Sequence, residues 1–172
     1  MPERGHSWDD TDARLLDILQ IDADQTLREL GDQVGLSPSA VQRRLTRYKT
    51  RELLRTVSVL DTTQASVVQA LVVLTLVEES AEHHRNLANR LRARPEVQQC
   101  YALSGRWDYA VIMAAPTLQA LHGLGNELFK DDPNIRRYDT MFLLDTVKAT
   151  QAMPADFVLP AVGDHARRRQ AH

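Results

Sequence analysis

The sequence predicts an α+β chain, with a three-helix unit at the front and a sheet-and-helix sandwich behind it. Three observations point there. The first is charge: Asp9–Asp32 carries eight acids and two bases, whereas Leu36–Leu60 carries six bases and one acid. A change of sign this abrupt marks neighbouring elements with different surroundings. The second is a change of hydrophobic period, from helical spacing before residue 60 to Val- and Leu-rich runs after it. The third is the polar, turn-like Asp61-Thr62-Thr63-Gln64 between the two. The chain's 172 residues suffice for one domain or two small ones. The expected divisions are 1–60, 61–152 and a C-terminal extension, 153–172, read as a solvated tail with Arg167-Arg168-Arg169 in it.

The first helix is read over about 9–21, with Leu15, Leu16, Ile18 and Leu19 as its apolar face and acids in its first turn. The second begins after Thr26, because Thr26-x-x-Glu29 is a capping-box pattern. Leu27, Leu30 and Val34 follow at helical spacing, and Gly35 suits a reversal past the helix end. Gly31 lowers helix propensity, and a close helix crossing would account for it. Ser37 as N-cap with Pro38 at the first helical position starts the third helix. Val41, Leu45 and Tyr48 form its apolar stripe; Ser39, Gln42, Arg43, Thr46, Arg47 and Lys49 lie opposite. Arg55–Leu60 alternates polar and apolar residues and reads as a linking strand.

Two short helices joined by Gly35-Leu36-Ser37, the second one basic, make a helix-turn-helix that enters a DNA major groove. A Gln fork matches adenine and an Arg fork guanine, so Gln42 and Arg43 are the candidate base readers. Arg44, Arg47, Lys49 and Arg51 are candidate phosphate contacts, with Ser37 and Ser39 at the helix start. The acidic first helix is expected to sit away from the DNA.

From residue 67 the pattern reads β-α-β-β-α-β. The strands are expected over 67–77, 97–104, 109–115 and 135–147, and the helices over 81–94 and from Thr117 to about 130. This order is that of the ferredoxin-like split βαβ sandwich. Its helices cover one sheet face. The first strand is apolar on both, with Leu71 and Val73 on one side and Ala70, Val72 and Leu74 on the other. A homodimer with sheets face to face would cover the second face and would set two reading helices about 34 Å apart.

These residues resemble the Lrp/AsnC family of transcriptional regulators over roughly 8–149. The resemblance rests on Asp9-x-x-Asp12-x-x-Leu15-Leu16-x-x-Leu19-Gln20 and on Leu30-Gly31-x-x-Val34-Gly35-Leu36-Ser37-x-Ser39-x-Val41-x-x-Arg44-Leu45. It rests further on Ser104-Gly105-x-Trp107-Asp108-Tyr109, and on Thr140 followed by Val147-Lys148. The resemblance implies a winged helix-turn-helix and a ligand-sensing sandwich, with dimers that assemble to octamers. It also implies control by an amino acid or related small metabolite. Carried over by position, the effector site takes Ser104, Gly105, Trp107, Asp108 and Tyr109, with Thr140 and Met141 beside them. The chemistry fits: a carboxylate pairs with an α-ammonium, and amides at a Gly turn hold a carboxylate. The residues alone also fit a plain hairpin turn with a structural Asp108 and a packing Trp107.

Two departures stand out. Arg106 replaces an acidic or small polar residue, which would alter preference for ligand charge, and Glu52 replaces a Gly after the reading helix, which would lengthen it or alter its exit.

Composition narrows the rest. A net charge of −2 excludes a uniformly basic coat for nucleic acid, and 43% hydrophobic residues support a buried core. The single Cys100 excludes an internal disulfide and a Cys-built zinc site, and is read as core. No secretory leader is visible, and the longest apolar stretch, Leu71–Val77, is too short for a bilayer, so a cytoplasmic location is expected. Neighbouring His83 and His84 diverge on a helix and make no metal pair. No cofactor and no metal are expected. The expected partners are double-stranded DNA, a small-molecule effector and further copies of the chain. One alternative is an architectural DNA binder without ligand control. Another is a haem-pathway decarboxylase of related layout, but its Arg-Arg-x-Gly-Ala stretch is replaced here by Arg55-Thr56-Val57-Ser58-Val59.

Overall fold

The computed structural model describes residues 8–60 and 65–159. In chain order the elements are α1 (Asp10–Ile21), α2 (Leu27–Val34), α3 (Pro38–Thr50), β1 (Val68–Leu76), α4 (Ala81–Arg92), β2 (Val97–Ala102), β3 (Tyr109–Ala115), α5 (Leu118–Gly125), β4 (Ile135–Phe142) and α6 (Ala155–Val158). A single π-type turn, Asn126–Lys130, continues α5. The chain divides into two compact units. One runs up to Val59 and resumes at Ala149; the other is Leu60–Lys148.

In the first unit the start signals read from the sequence are the ones used. Asp9 and Asp12 form a reciprocal capping box at α1, and Thr26 and Glu29 form another at α2. Ser37 Oγ accepts from the Ala40 amide at the head of α3. Each satisfies backbone N–H groups that a helix start leaves free. The three helices bury Leu15, Leu16, Leu30, Val34, Val41 and Tyr48 in one cluster. Gly31 sits where the chain turns back: a Cβ there would lie 2.4 Å from the Leu36 carbonyl oxygen.

The exit of α3 departs from expectation. Glu52 does not lengthen the helix. It adopts φ 56°, the left-handed region that glycine favours. The Glu52 amide donates to the Lys49 carbonyl (3.0 Å) and the Leu53 amide to that of Tyr48 (2.9 Å). These are the paired bonds of a Schellman stop. Residues 55–60 form no strand within the chain, so the linking strand is absent here.

The expected solvated tail is also corrected in part. Residues 153–159 lie on α1, with Ala155 and Leu159 buried in the first unit's cluster. Apolar contact and side-chain hydrogen bonds from α1 hold them. Arg167–Arg169 lie outside the described residues.

The second unit is a four-stranded antiparallel sheet in the order β2-β3-β1-β4. Its core joins Ala70, Val72, Leu74 and Leu76 of β1, and Val111 and Met113 of β3, to Leu87, Leu91, Leu121 and Phe129 of the helical layer. Strand β4 ends at Phe142 rather than 147, because its partner β1 begins at Val68 and Phe142 already lies opposite Ala70. The last bond is from the Leu143 amide to Gln69, and Leu144 beyond it is 96% exposed. Strand β2 likewise stops at Ala102. Cys100, expected in the core, is exposed on the edge strand β2. Among the described residues no helix is long and apolar enough to cross a membrane.

Candidate nucleic-acid interface and effector loop

The stripe Val41–Leu45–Tyr48 turns one side of α3 into the core, and helical spacing decides the rest. Ser39, Gln42, Arg43, Thr46 and Lys49 are exposed. Gln42 Nε2 donates to Thr46 Oγ1 at 3.3 Å, so these two lie side by side on the open face. Ser37 is committed to the cap, its hydroxyl also 3.1 Å from that of Ser39.

Arg44 and Arg47 do not join that face. Both turn back onto the carboxylate of Asp12, which is completely buried. Asp12 Oδ1 accepts from Arg44 Nη1 (2.5 Å), Arg47 Nη2 (2.5 Å) and the Tyr48 hydroxyl (2.6 Å). Asp12 Oδ2 takes the Asp9 amide at 3.0 Å. Asp9 grips Arg44 through both carboxylate oxygens, 2.8 Å each. A buried carboxylate is tolerated only when donors surround it, and here they do. The Arg44 guanidinium beside Asp9 holds that carboxyl below the usual carboxylate range. Burial, and then the Asp12 acceptor, pushes the Tyr48 phenol up. The Arg47 guanidinium also lies 4.8 Å from the Trp8 ring centre, with Arg51 at 5.4 Å from the same ring. Asp9 and Asp12 of the first helix, read from the sequence only as lying away from the DNA, are the seat of α3. The spacing held the clue: Arg44 is three residues past Val41 and four before Tyr48, beside the apolar stripe.

In the second unit the candidate effector loop joins β2 to β3. Gly105 adopts φ 126°, a conformation that L side chains rarely take. Asp108 ties the loop down. Its amide donates to Leu74 (2.9 Å), its carbonyl accepts from Leu103 (2.8 Å), and its Oδ2 accepts from the Leu76 amide (2.6 Å). Ser104 and Gly105 are exposed. The Arg106 and Arg137 guanidiniums each lie 5.2 Å from the centre of the Trp107 ring. Arg137 is bridged to Asp139 at 2.8 Å.

Three candidates are not brought to this loop. Tyr109 is buried in the sheet-helix core, its hydroxyl 2.6 Å from His84 Nδ1. Thr140 and Met141 are adjacent in β4, so their side chains leave opposite faces of the sheet. They pair with Val72 and Leu71, farther along β1 than the Leu74–Leu76 end that anchors Asp108. The strand instead delivers Arg137, opposite Thr75, to the Trp107 ring. Nothing in the residue pattern singled out Arg137; it follows from the register alone.

Residues 9–49 match the AsnC-type helix-turn-helix domain, and residues 69–153 match the Lrp/AsnC ligand binding domain. The chain belongs to the Lrp/AsnC family. It is thus a DNA-binding transcriptional regulator with a ligand-binding domain. This regulator is 31% identical to an uncharacterized HTH-type transcriptional regulator of Sinorhizobium fredii, over 86% of its own length and 89% of the relative's. It is 27% identical to the transcriptional regulator AzlB of Bacillus subtilis, over 88% and 98% of the two chains. An AsnC family regulator from Agrobacterium tumefaciens superposes with a TM-score of 0.81 at 26% identity, covering 88% of this chain and 100% of that one. A Neisseria meningitidis regulator, solved as its complex with L-Met, gives 0.80 at 25% identity and covers 89% and 100%.

Proposed function

We propose that this regulator reads DNA with Ser39, Gln42, Arg43, Thr46 and Lys49, and that its second unit senses an amino acid or a closely related metabolite. The observation that carries the DNA reading is the division of labour on α3. Arg44 and Arg47 are consumed beneath the helix, while Gln42 and Arg43 are exposed on the side where a major groove would lie. The ligand class is supported by the L-Met complex of the Neisseria neighbour. The pocket forms around Ser104, Gly105, Trp107 and Asp108. With Arg106 and Arg137 flanking Trp107, the preferred effector carries an extra negative charge.

The sheet face away from α4 and α5 presents Leu71, Ile112, Met141 and Tyr101, the last two 45% and 55% exposed. A second copy covers this face, and dimers associate further. The effector acts by binding one assembly state better than another, since equal affinity shifts nothing.

Light scattering of the purified protein with each of the twenty amino acids tests the sensing. A change in mass with glutamate or aspartate and none with leucine supports the anionic effector. A mass that is the same under all conditions, together with an unchanged DNA footprint, defeats amino-acid sensing and leaves the architectural reading.

A further inference from the structure

The DNA-binding unit is discontinuous in sequence, and the piece that completes it comes from the far end of the chain. Ala155 and Leu159 are buried in the same cluster as Leu16, Val41 and Tyr48. Their attachment to α1 is specific. The Gln20 carboxamide satisfies both backbone groups of Met153: Nε2 donates to its carbonyl (2.9 Å) and Oε1 accepts from its amide (3.0 Å). Asp17 Oδ1 accepts from the Ala155 amide at 2.9 Å, across a sequence separation of 138 residues.

Helix α1 is therefore gripped along its length by two different parts of the chain. Its N-terminal acids Asp9 and Asp12 seat α3 through Arg44, Arg47 and Tyr48. Its C-terminal half, through Asp17 and Gln20, holds residues 153–155. Helices of 12 and 8 residues, such as α1 and α2, owe their order to tertiary packing rather than to propensity. Loosening one end of α1 loosens what rests on the other.

We propose that Met153–Leu159 is a working strap of the DNA-binding unit, and that Asp17 and Gln20 are positioning residues for α3 although neither is on its DNA-facing side. The strap continues directly from β4 through residues 143–152. The second unit is thus spliced between two pieces of the first and is joined to it at both ends.

The test uses the full chain with Asp17→Ala and Gln20→Ala together, followed by amide hydrogen exchange and by binding to sheared genomic DNA of the organism that encodes the protein. Amides of residues 155–159, α1 and α3 are expected to exchange about tenfold faster, with β1 and β3 unchanged. DNA affinity is expected to fall about tenfold while the slope of log affinity against log salt stays the same, because no phosphate contact is lost. Asp17→Asn keeps an acceptor oxygen and is expected to behave as wild type. Release of the strap with unchanged α3 exchange and unchanged DNA affinity overturns the proposal. So does a strap that stays protected in the double variant, or an Asp17→Asn protein as impaired as the double variant. Leu159→Ala, which removes a buried contact and no hydrogen bond, should reproduce the loss; normal DNA binding by that variant with a released strap counts equally against the strap's role.

Discussion

The reading helix and the effector loop are built on opposite plans. Helix α3 is capped by Ser37, stopped by Glu52 and seated on a buried carboxylate that receives three side-chain donors. The 103–108 loop is tied down at Asp108 and exposes Ser104 and Gly105. Buried charge fixes a shape, but removing one member strands the others without water. An exposed turn tolerates more and specifies less. The surface proposed to meet DNA is therefore preformed over a buried charge network, while the surface proposed to meet the effector is an exposed turn pinned at one residue.

The comparison breaks most sharply at Asp12. Asp12→Ala leaves Arg47 and Tyr48 without their acceptor and Arg44 with Asp9 alone, and should lower the stability of the DNA-binding unit by about 3–5 kcal/mol and abolish DNA binding. Urea titration followed by Trp8 fluorescence in a Trp107→Phe background measures it, and a loss below about 1 kcal/mol would show that the network contributes little. Asp108→Ala removes the acceptor of the Leu76 amide and should cost the second unit about 1–3 kcal/mol while leaving DNA affinity intact. Any response to amino acids should disappear with it.

The two kinds of basic residue on α3 separate in salt titrations. Lys49→Ala should reduce the salt slope of DNA binding by about 1, and Arg43→Ala should cost about 1–3 kcal/mol and change sequence preference. Arg47→Ala should instead destabilise the unit and leave the slope alone; a reduced slope would return Arg47 to the phosphates. A smaller effect lies at Glu52, where glycine removes the left-handed strain. Glu52→Gly should raise stability by about 1 kcal/mol. Acid probes the same contrast. Asp9 titrates below its ordinary value of about 4, so its contribution is complete above that value. It is lost as pH falls through the lowered one, and the helical unit should begin to loosen below about pH 4. Circular dichroism between pH 5 and pH 2 would follow it.

Caps, turns and stripes were legible in the sequence because each is a local pattern: Thr26 with Glu29, Ser37 with Pro38, Val41 with Tyr48. The ferredoxin-like order of strands and helices was legible for the same reason. What escaped was non-local. Arg44 and Arg47 look like surface cations until α1 is known to place a carboxylate beneath them. Met153–Leu159 looks like a tail until Asp17 and Gln20 are seen to hold it. Tyr109 sits in a motif that suggests a ligand, yet the alternation of β3 sends its ring into the core. Glu52 stands out in the sequence after the reading helix, but only the backbone shows that it takes the glycine conformation rather than extending the helix.

The sheet face carrying Leu71, Ile112 and Met141 has a consequence in mass action. An apolar surface left open by its own helices ties the fold to whatever covers it. With a second copy as the cover, stability becomes a function of concentration: the melting temperature climbs as the protein is concentrated and falls on dilution. In the proposed dimer, protein concentration sets how well each molecule is folded as well as how much of it is bound to DNA.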